Sequence, residues 1–291
     1  MLLAAGTAAY GRELARVVNL DRLGGFVTKA ISLEPRHGAP SPRVAEFEGG
    51  MINAVGLANP GVDEVKAEHL PWLASNLKRA RVLANVVGSQ VEDYAQVVSR
   101  LDDVQVLAGY ELNVSCPNVR AGGMEFGADP RTLTEVVTCA RAATRKPIFV
   151  KLSPTVQDIG KMAGVAADAG ADGISVVNTI PGLVVDVDTR RPTLGFGSGG
   201  VSGPGLLPVG VLATYKVAKS VKLPIIGVGG ISRATDIVQY VMAGATLTAI
   251  GTAAMLEPRL PERLVDGLTE WCRRKGVSSL AELRGTLEWK S

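Results

Sequence analysis

Short runs of aliphatic, mostly β-branched residues alternate along the chain with longer stretches whose apolar positions recur every three to four residues. The short runs predict strands at 2–6, 26–31, 82–87, 110–114, 148–152, 174–178, 225–229 and 247–251. The longer stretches predict helices near 11–19, 62–79, 90–102, 131–145, 155–169, 206–221 and 233–243, with an eighth near 260–275. Several strands are apolar at every position, as in Pro224-Ile225-Ile226-Gly227-Val228. Parallel strands covered on both faces have that composition. Eight strand–helix units in series predict an α/β protein, a closed (βα)8 TIM barrel in one domain over 1–291. The alternative, an open sheet, would leave the eighth strand unpaired with the first.

Two segments exceed a minimal barrel. Residues 32–61 follow the second strand, and residues 180–205, rich in Gly and Pro, follow the sixth. Both insertions fall on the face where barrel enzymes carry their chemistry. Long loops in a compact domain commonly cover a site. Their alternating apolar residues predict short extra strands.

A barrel core is filled by Val, Ile and Leu, so polar residues at the carboxyl ends of strands are informative. Here they are Lys29, Asn85, Asn113, Lys151 and Asn178 with Thr179. One buried Asn can be structural; three Asn and two Lys at one mouth point to a ligand. A buried lysine without an anionic partner is costly. Lys151 therefore needs either a neighbouring carboxylate or an anionic ligand. The last two strands end in Gly229-Gly230-Ile231-Ser232 and Gly251-Thr252, each leading into a helix. Glycine lets backbone N–H groups approach an anion, and a helix N-terminus attracts one. The loops after strands seven and eight are also where barrels commonly bind phosphate.

Glu111-Leu-Asn-Val-Ser-Cys-Pro-Asn118 is the most specific run. Leu112 and Val114 form the apolar half of a strand, and Asn113 faces the other way. Pro117 stops the strand and stiffens the turn. Cys116 is thereby set at a strand's carboxyl end between two carboxamides, Asn113 and Asn118, the position of a reagent. Cys139 and Cys272 sit in helical patterns and read as small buried hydrophobes.

Composition narrows the class. The 291 residues, 46% hydrophobic, suffice for one large core. With 31 basic and 28 acidic residues the net charge is +3, too balanced for a nucleic-acid surface. Three separated cysteines give neither a disulfide framework nor a metal pair and suit a reducing cytosol. No apolar run approaches the roughly 18 residues of a membrane span. The opening Met-Leu-Leu-Ala-Ala-Gly has no basic start or long apolar region, so no secretory leader is expected. The expectation is a cytoplasmic protein with no metal, nucleic-acid or membrane partner.

These residues, in this order, resemble the catalytic subunit of class 1B dihydroorotate dehydrogenases over essentially the whole chain. The shared motifs are Thr28-Lys29-Ala30, Leu33-Glu34-Pro35-Arg36, Pro42-Arg43, Asn53-Ala54-Val55-Gly56-Leu57, Ala84-Asn85-Val86 and Asn113-Val114-Ser115-Cys116-Pro117-Asn118. They continue with Val150-Lys151-Leu152-Ser153-Pro154, Val177-Asn178-Thr179, Gly199-Gly200-Val201-Ser202-Gly203-Pro204, Gly227-Val228-Gly229-Gly230 and Ile250-Gly251-Thr252. Cys116 stands where the membrane-associated class 2 enzymes carry serine, and their amphipathic N-terminal helix is not seen. Gly122–Gly127 looks like class 1B rather than the fumarate-using class 1A. Two departures are local: the family usually has residues before the first strand, and often serine where Ala5 stands.

The resemblance implies oxidation of dihydroorotate to orotate in pyrimidine biosynthesis, with one FMN per chain. It implies Cys116 as general base and Lys29 on the substrate carboxylate and the flavin. Asn53, Asn113, Asn178 and Thr179, with the backbone of Ala54, Val55, Gly56 and Leu57, would hold the pyrimidine. Asn85 and Lys151 would contact the isoalloxazine. Ala5, Ala30, Val177, Gly203, Gly229, Gly230, Gly251 and Thr252 would surround the flavin and its phosphate. It further implies a catalytic dimer and an electron-transfer partner carrying FAD and a [2Fe–2S] cluster, in a heterotetramer that passes electrons to NAD. The alternatives are a flavin barrel acting on another dihydropyrimidine and a class 1A-like enzyme using fumarate. A tRNA dihydrouridine synthase would need a strongly basic extension after the barrel, and the residues after 276 are not strongly basic. A non-catalytic scaffold would have no need of Cys116, Lys29, Lys151 and the Asn set.

Overall fold

The computed structural model describes residues 1–115, 117, 118 and 124–289, with the side chains of 117, 118 and 124 left aside. Eight parallel strands close on themselves. They are β1 (Leu2–Leu3), β2 (Gly25–Val27), β3 (Arg81–Val86), β4 (Leu107–Asn113), β5 (Ile148–Leu152), β6 (Gly173–Val176), β7 (Ile225–Val228) and β8 (Leu247–Ile250). The register Leu2↔Ala249 and Leu2↔Gly25 places β1 between β8 and β2, so the sheet is a barrel and not open.

Alternation along each strand splits the core in two. Leu3, Phe26, Val82, Leu112, Val150, Ile174, Ile225 and Ile250 face outward and pack under the helices. Leu2, Val27, Leu83, Ile226, Val228 and Ala249 form a smaller cluster inside the barrel. The inward set changes character along β3 to β6, where Asn85, Glu111, Lys151 and Ser175 are buried polar residues. Registers Asn85↔Glu111 and Lys151↔Ser175 put them at neighbouring inward positions.

Several helices differ from expectation. The predicted helix at 11–19 is only a 3-10 turn, Leu14–Arg16. Gly11 has φ +93°, and a Cβ there would lie 2.8 Å from Leu73 and 2.9 Å from Phe26. The chain passes too close to the barrel wall for a helix to start. The helix expected at 62–79 ends at Asn76 and contains a π-helical stretch, Val65–His69. Pro71 has no N–H to continue the regular ladder, and the wider turn precedes it. The helix expected from 155 starts at Ile159, because Asp158 caps it by accepting from Lys161 N at 3.0 Å. β4 ends at Asn113, ahead of the proline expected to stop it, and Pro117–Asn118 instead pairs antiparallel with Met124–Glu125.

The two insertions do form strands, and they form them together. Val44–Phe47 and Gly50–Asn53 come from the first, Ile180–Gly182 and Gly199–Ser202 from the second. They make one antiparallel four-stranded sheet, with Gly200↔Asn53 in register. Segments about 150 residues apart thus wall the mouth jointly. No helix among the described residues is long and apolar enough to cross a membrane.

Candidate active site

At the carboxyl ends of the strands lie two adjoining cavities. The inner, of about 400 Å³, runs from the turns after β7 and β8 across the barrel mouth to β3 and β5. The outer, of about 560 Å³, lies between the inserted sheet and the turn after β4. Asn53, Leu57, Asn113, Asn178 and Thr179 line both and form their common wall. A third hollow of about 570 Å³, between 12–21 and 72–77, shares no residue with either.

Every predicted site residue that is described reaches one of the two adjoining cavities. Ala5, Lys29, Ala30, Asn85, Lys151, Val177, Gly203, Gly229, Gly230, Gly251 and Thr252 line the inner one, as does Val55. Ala54 and Gly56 line the outer one. Cys116 lies outside the described residues, as do Gly122 and Gly123 of the class 1B run. Cys139 and Cys272 are partly rather than fully buried.

The common wall is preorganised by its own amides. Thr179 N donates to Asn178 Oδ1 at 2.8 Å, Ser115 N to Asn113 Oδ1 at 3.3 Å, and Asn53 Nδ2 to Gly200 O at 3.3 Å. These contacts fix carboxamides that offer both donors and acceptors to a ligand. On the barrel floor, Asn85 Nδ2 donates to Glu111 Oε1 at 2.8 Å, and its Oδ1 is buried without a partner. Lys151 satisfies both readings of its sequence context. It lines the inner cavity and its Nζ lies 3.9 Å from Glu111 Oε1.

The glycine turns face the cavity, and the helix behind the first of them carries a carboxylate at its own start. Ser232 N and Arg233 N donate to Asp236 Oδ2 at 2.9 and 2.8 Å, so Asp236 caps its own helix. Gly230 has φ +71°, and a Cβ would lie 2.3 Å from Leu207 N. Thr252 Oγ1 donates to Ser202 Oγ at 2.7 Å, bringing the inserted sheet onto the β8 turn.

Glu111, Ser202, Glu125 and Ser153 belong to the site without standing out in the sequence. Glu111 shares its strand face with Asn113, two residues on, and that alternation was the available signal. Glu125 and Ser153 line the outer cavity. Burial pushes the Glu125 carboxyl up, and its hydrogen bond with Ser153 partly offsets this.

A closed parallel barrel with a walled two-part cavity at its carboxyl-terminal mouth, carrying Asn and Lys side chains, defines a (βα)8 barrel enzyme. The dihydroorotate dehydrogenase profile matches residues 1–271. The chain is 43% identical to the protein named dihydroorotate dehydrogenase B (NAD(+)), catalytic subunit, of Pelobacter propionicus, over 99% of this chain and 94% of the relative. It is 43% identical to the protein of that name from Trichlorobacter lovleyi, with the same coverage. A Solibacter usitatus protein provisionally named dihydroorotate dehydrogenase A (fumarate) is 47% identical over 99% of this chain and 94% of its own length. The chain belongs to the dihydroorotate dehydrogenase family, whose members are in general flavin-dependent.

Proposed function

We propose that this chain oxidises dihydroorotate to orotate with FMN in the inner cavity and dihydroorotate in the outer one. The observation that carries this reading is the wall of five residues common to both cavities, which would hold two planar ligands against each other. The residues present fit FMN. The buried, unpartnered Asn85 Oδ1 calls for a donor from a ligand. Gly203, with φ +123°, lines the inner cavity and has Gly50 Cα 2.7 Å from where its Cβ would be, so its backbone faces the cavity with no side chain between.

Bound there, FMN supplies the hydride acceptor. Gly203, Gly229, Gly230, Gly251 and Thr252 would hold its phosphate end, and Asn85 and Lys151 its ring, beside Ala5, Ala30 and Val177. Asn53, Asn113, Asn178 and Thr179, with the backbone of 54–57, hold the pyrimidine flat against the wall. Lys29 holds the substrate carboxylate. Cys116 takes the proton from C5 as hydride leaves C6. Lys151 keeps a fixed positive charge where negative charge develops, and such fixed charges cost no reorganisation during the reaction.

The electron path then leaves the chain. Its three cysteines cannot supply the four ligands of an ordinary iron–sulfur cluster. We assign the onward path to a partner carrying FAD and a [2Fe–2S] cluster, which passes electrons to NAD in a heterotetramer built on a catalytic dimer. The names of the Pelobacter and Trichlorobacter relatives, a catalytic subunit linked to NAD, support this. The Solibacter relative's name supports a second reading, direct reoxidation by fumarate. The purified chain is expected to be yellow, with one FMN per chain, and to turn over with a dye acceptor but not with NAD alone. Steady-state assays with NAD, fumarate and dye, with and without the partner, check it. A colourless protein unchanged by added FMN would overturn the cofactor assignment, and rapid fumarate turnover would select the second reading.

A further inference from the structure

The barrel floor holds a carboxylate that none of the roles above uses. Glu111 is 1% exposed on β4, in register with Asn85 of β3. Its Oε1 accepts from Asn85 Nδ2 at 2.8 Å and stands 3.9 Å from Lys151 Nζ. A carboxylate can only accept, so the Asn85 amide must turn its NH2 group toward Glu111. That leaves Asn85 Oδ1, buried and unpartnered on a residue lining the inner cavity, as the atom offered to a ligand. The charge count points the same way. Among the described residues lining the inner cavity two are lysines, Lys29 and Lys151, and none is acidic. Glu111, just behind that lining, is the carboxylate set against Lys151.

We propose that Glu111 is a positioning residue: it fixes which end of Asn85 faces the ligand, and it holds the barrel floor near one net positive charge instead of two. The proposal rests on the FMN assignment above. A purely architectural glutamate would contribute to stability and leave the bound ligand's electronic properties alone. A charge-setting one acts on the ligand, because fixed charges in a poorly solvated site are weakly screened. A reduced flavin carries more negative charge than an oxidised one. Removing the Glu111 charge therefore favours the reduced form.

The test is the midpoint potential of bound FMN in the Glu111→Gln holoprotein. Gln keeps an oxygen to accept from Asn85 while losing the charge. The expected result is a potential raised by a tenfold or greater shift of the reduction equilibrium, about 30 mV for a two-electron couple. The N3–H of the bound oxidised flavin, followed by absorbance titration, should also ionise at lower pH. Unchanged potential and unchanged titration in E111Q overturn the proposal. The same comparison in a Lys151→Met background, K151M against E111Q/K151M, removes the partner charge and guards against a fold that rejects E111Q alone. There the double variant is expected at the higher potential, and equality overturns the proposal. A parent protein that holds no FMN overturns the cofactor assignment and this proposal with it; a parent that holds FMN beside unshifted variants overturns this proposal alone.

Discussion

Cys116→Ala is expected to retain FMN and to slow flavin reduction by dihydroorotate about 100- to 10,000-fold, the usual cost of losing a general base. The argument begins with the strand that leads to it. β4 ends at Asn113, whose side chain lies on the wall common to both cavities and accepts from Ser115 N. Ser115 itself lines the outer cavity. Position 116 follows in sequence on a residue of the cavity where dihydroorotate is proposed to bind, and the family resemblance assigns the thiol there to proton removal. A free thiol titrates near pH 8.5, so the parent rate should rise toward alkaline pH as the thiolate forms. Cys116→Ser should keep partial activity displaced to still higher pH, because a hydroxyl is the weaker acid. Stopped-flow flavin reduction across pH measures both. An alanine variant that reduces its flavin at the parent rate places the base elsewhere, and Glu125, whose carboxyl burial pushes up, is the one carboxyl among the described residues lining the outer cavity.

Lys151→Met is expected to act twice. The Lys151 and Glu111 side chains are 8% and 2% exposed, and removing one partner leaves the other charge buried alone. That typically costs about 3–5 kcal/mol. At about 2–4 °C per kcal/mol for a chain of this order of size, Tm should fall by roughly 10 °C. The reaction should also slow by about 100- to 1,000-fold, on the scale of losing one preorganised electrostatic contact in an active site. The two effects separate in the double variant. Glu111→Gln added to Lys151→Met removes the stranded charge, so Tm should recover while the rate stays at least about tenfold below the parent. Calorimetry and single-turnover reduction on the same preparations decide it. Full recovery of the rate would mean that Lys151 serves only to neutralise Glu111.

The barrel was legible because its signal is local. Each strand is a short, mostly apolar run whose type does not depend on its partner, as at Ile148–Leu152, where expectation and structure coincide. The polar mouth was legible for a related reason: Asn and Lys in a barrel strand contradict the packing that surrounds them. Four features escape such a reading. Gly11 ends any helix by its distance from Leu73 and Phe26, a fact of tertiary packing that the 11–19 pattern does not contain. The two insertions promise strands, but nothing in either names the other as its partner across some 150 residues. Glu111 shares its strand face with Asn113, but the run it opens directs attention to Cys116. A carboxylate on a barrel floor makes sense only once Lys151 is seen 3.9 Å away. The capping role of Asp236, three residues past its N-cap, is the fourth.

The most direct test of the central claim is anaerobic titration of the FMN-loaded chain with dihydroorotate, followed by flavin absorbance, beside a parallel titration with dihydrouracil. Dihydrouracil lacks the carboxylate assigned to Lys29 and is otherwise the same ring. The account predicts rapid bleaching of the bound flavin by stoichiometric dihydroorotate, with orotate formed, and bleaching by dihydrouracil slower by about 100-fold or more, as expected when a site's charged group is left without its partner. Equal bleaching by both, or none by dihydroorotate, would contradict it.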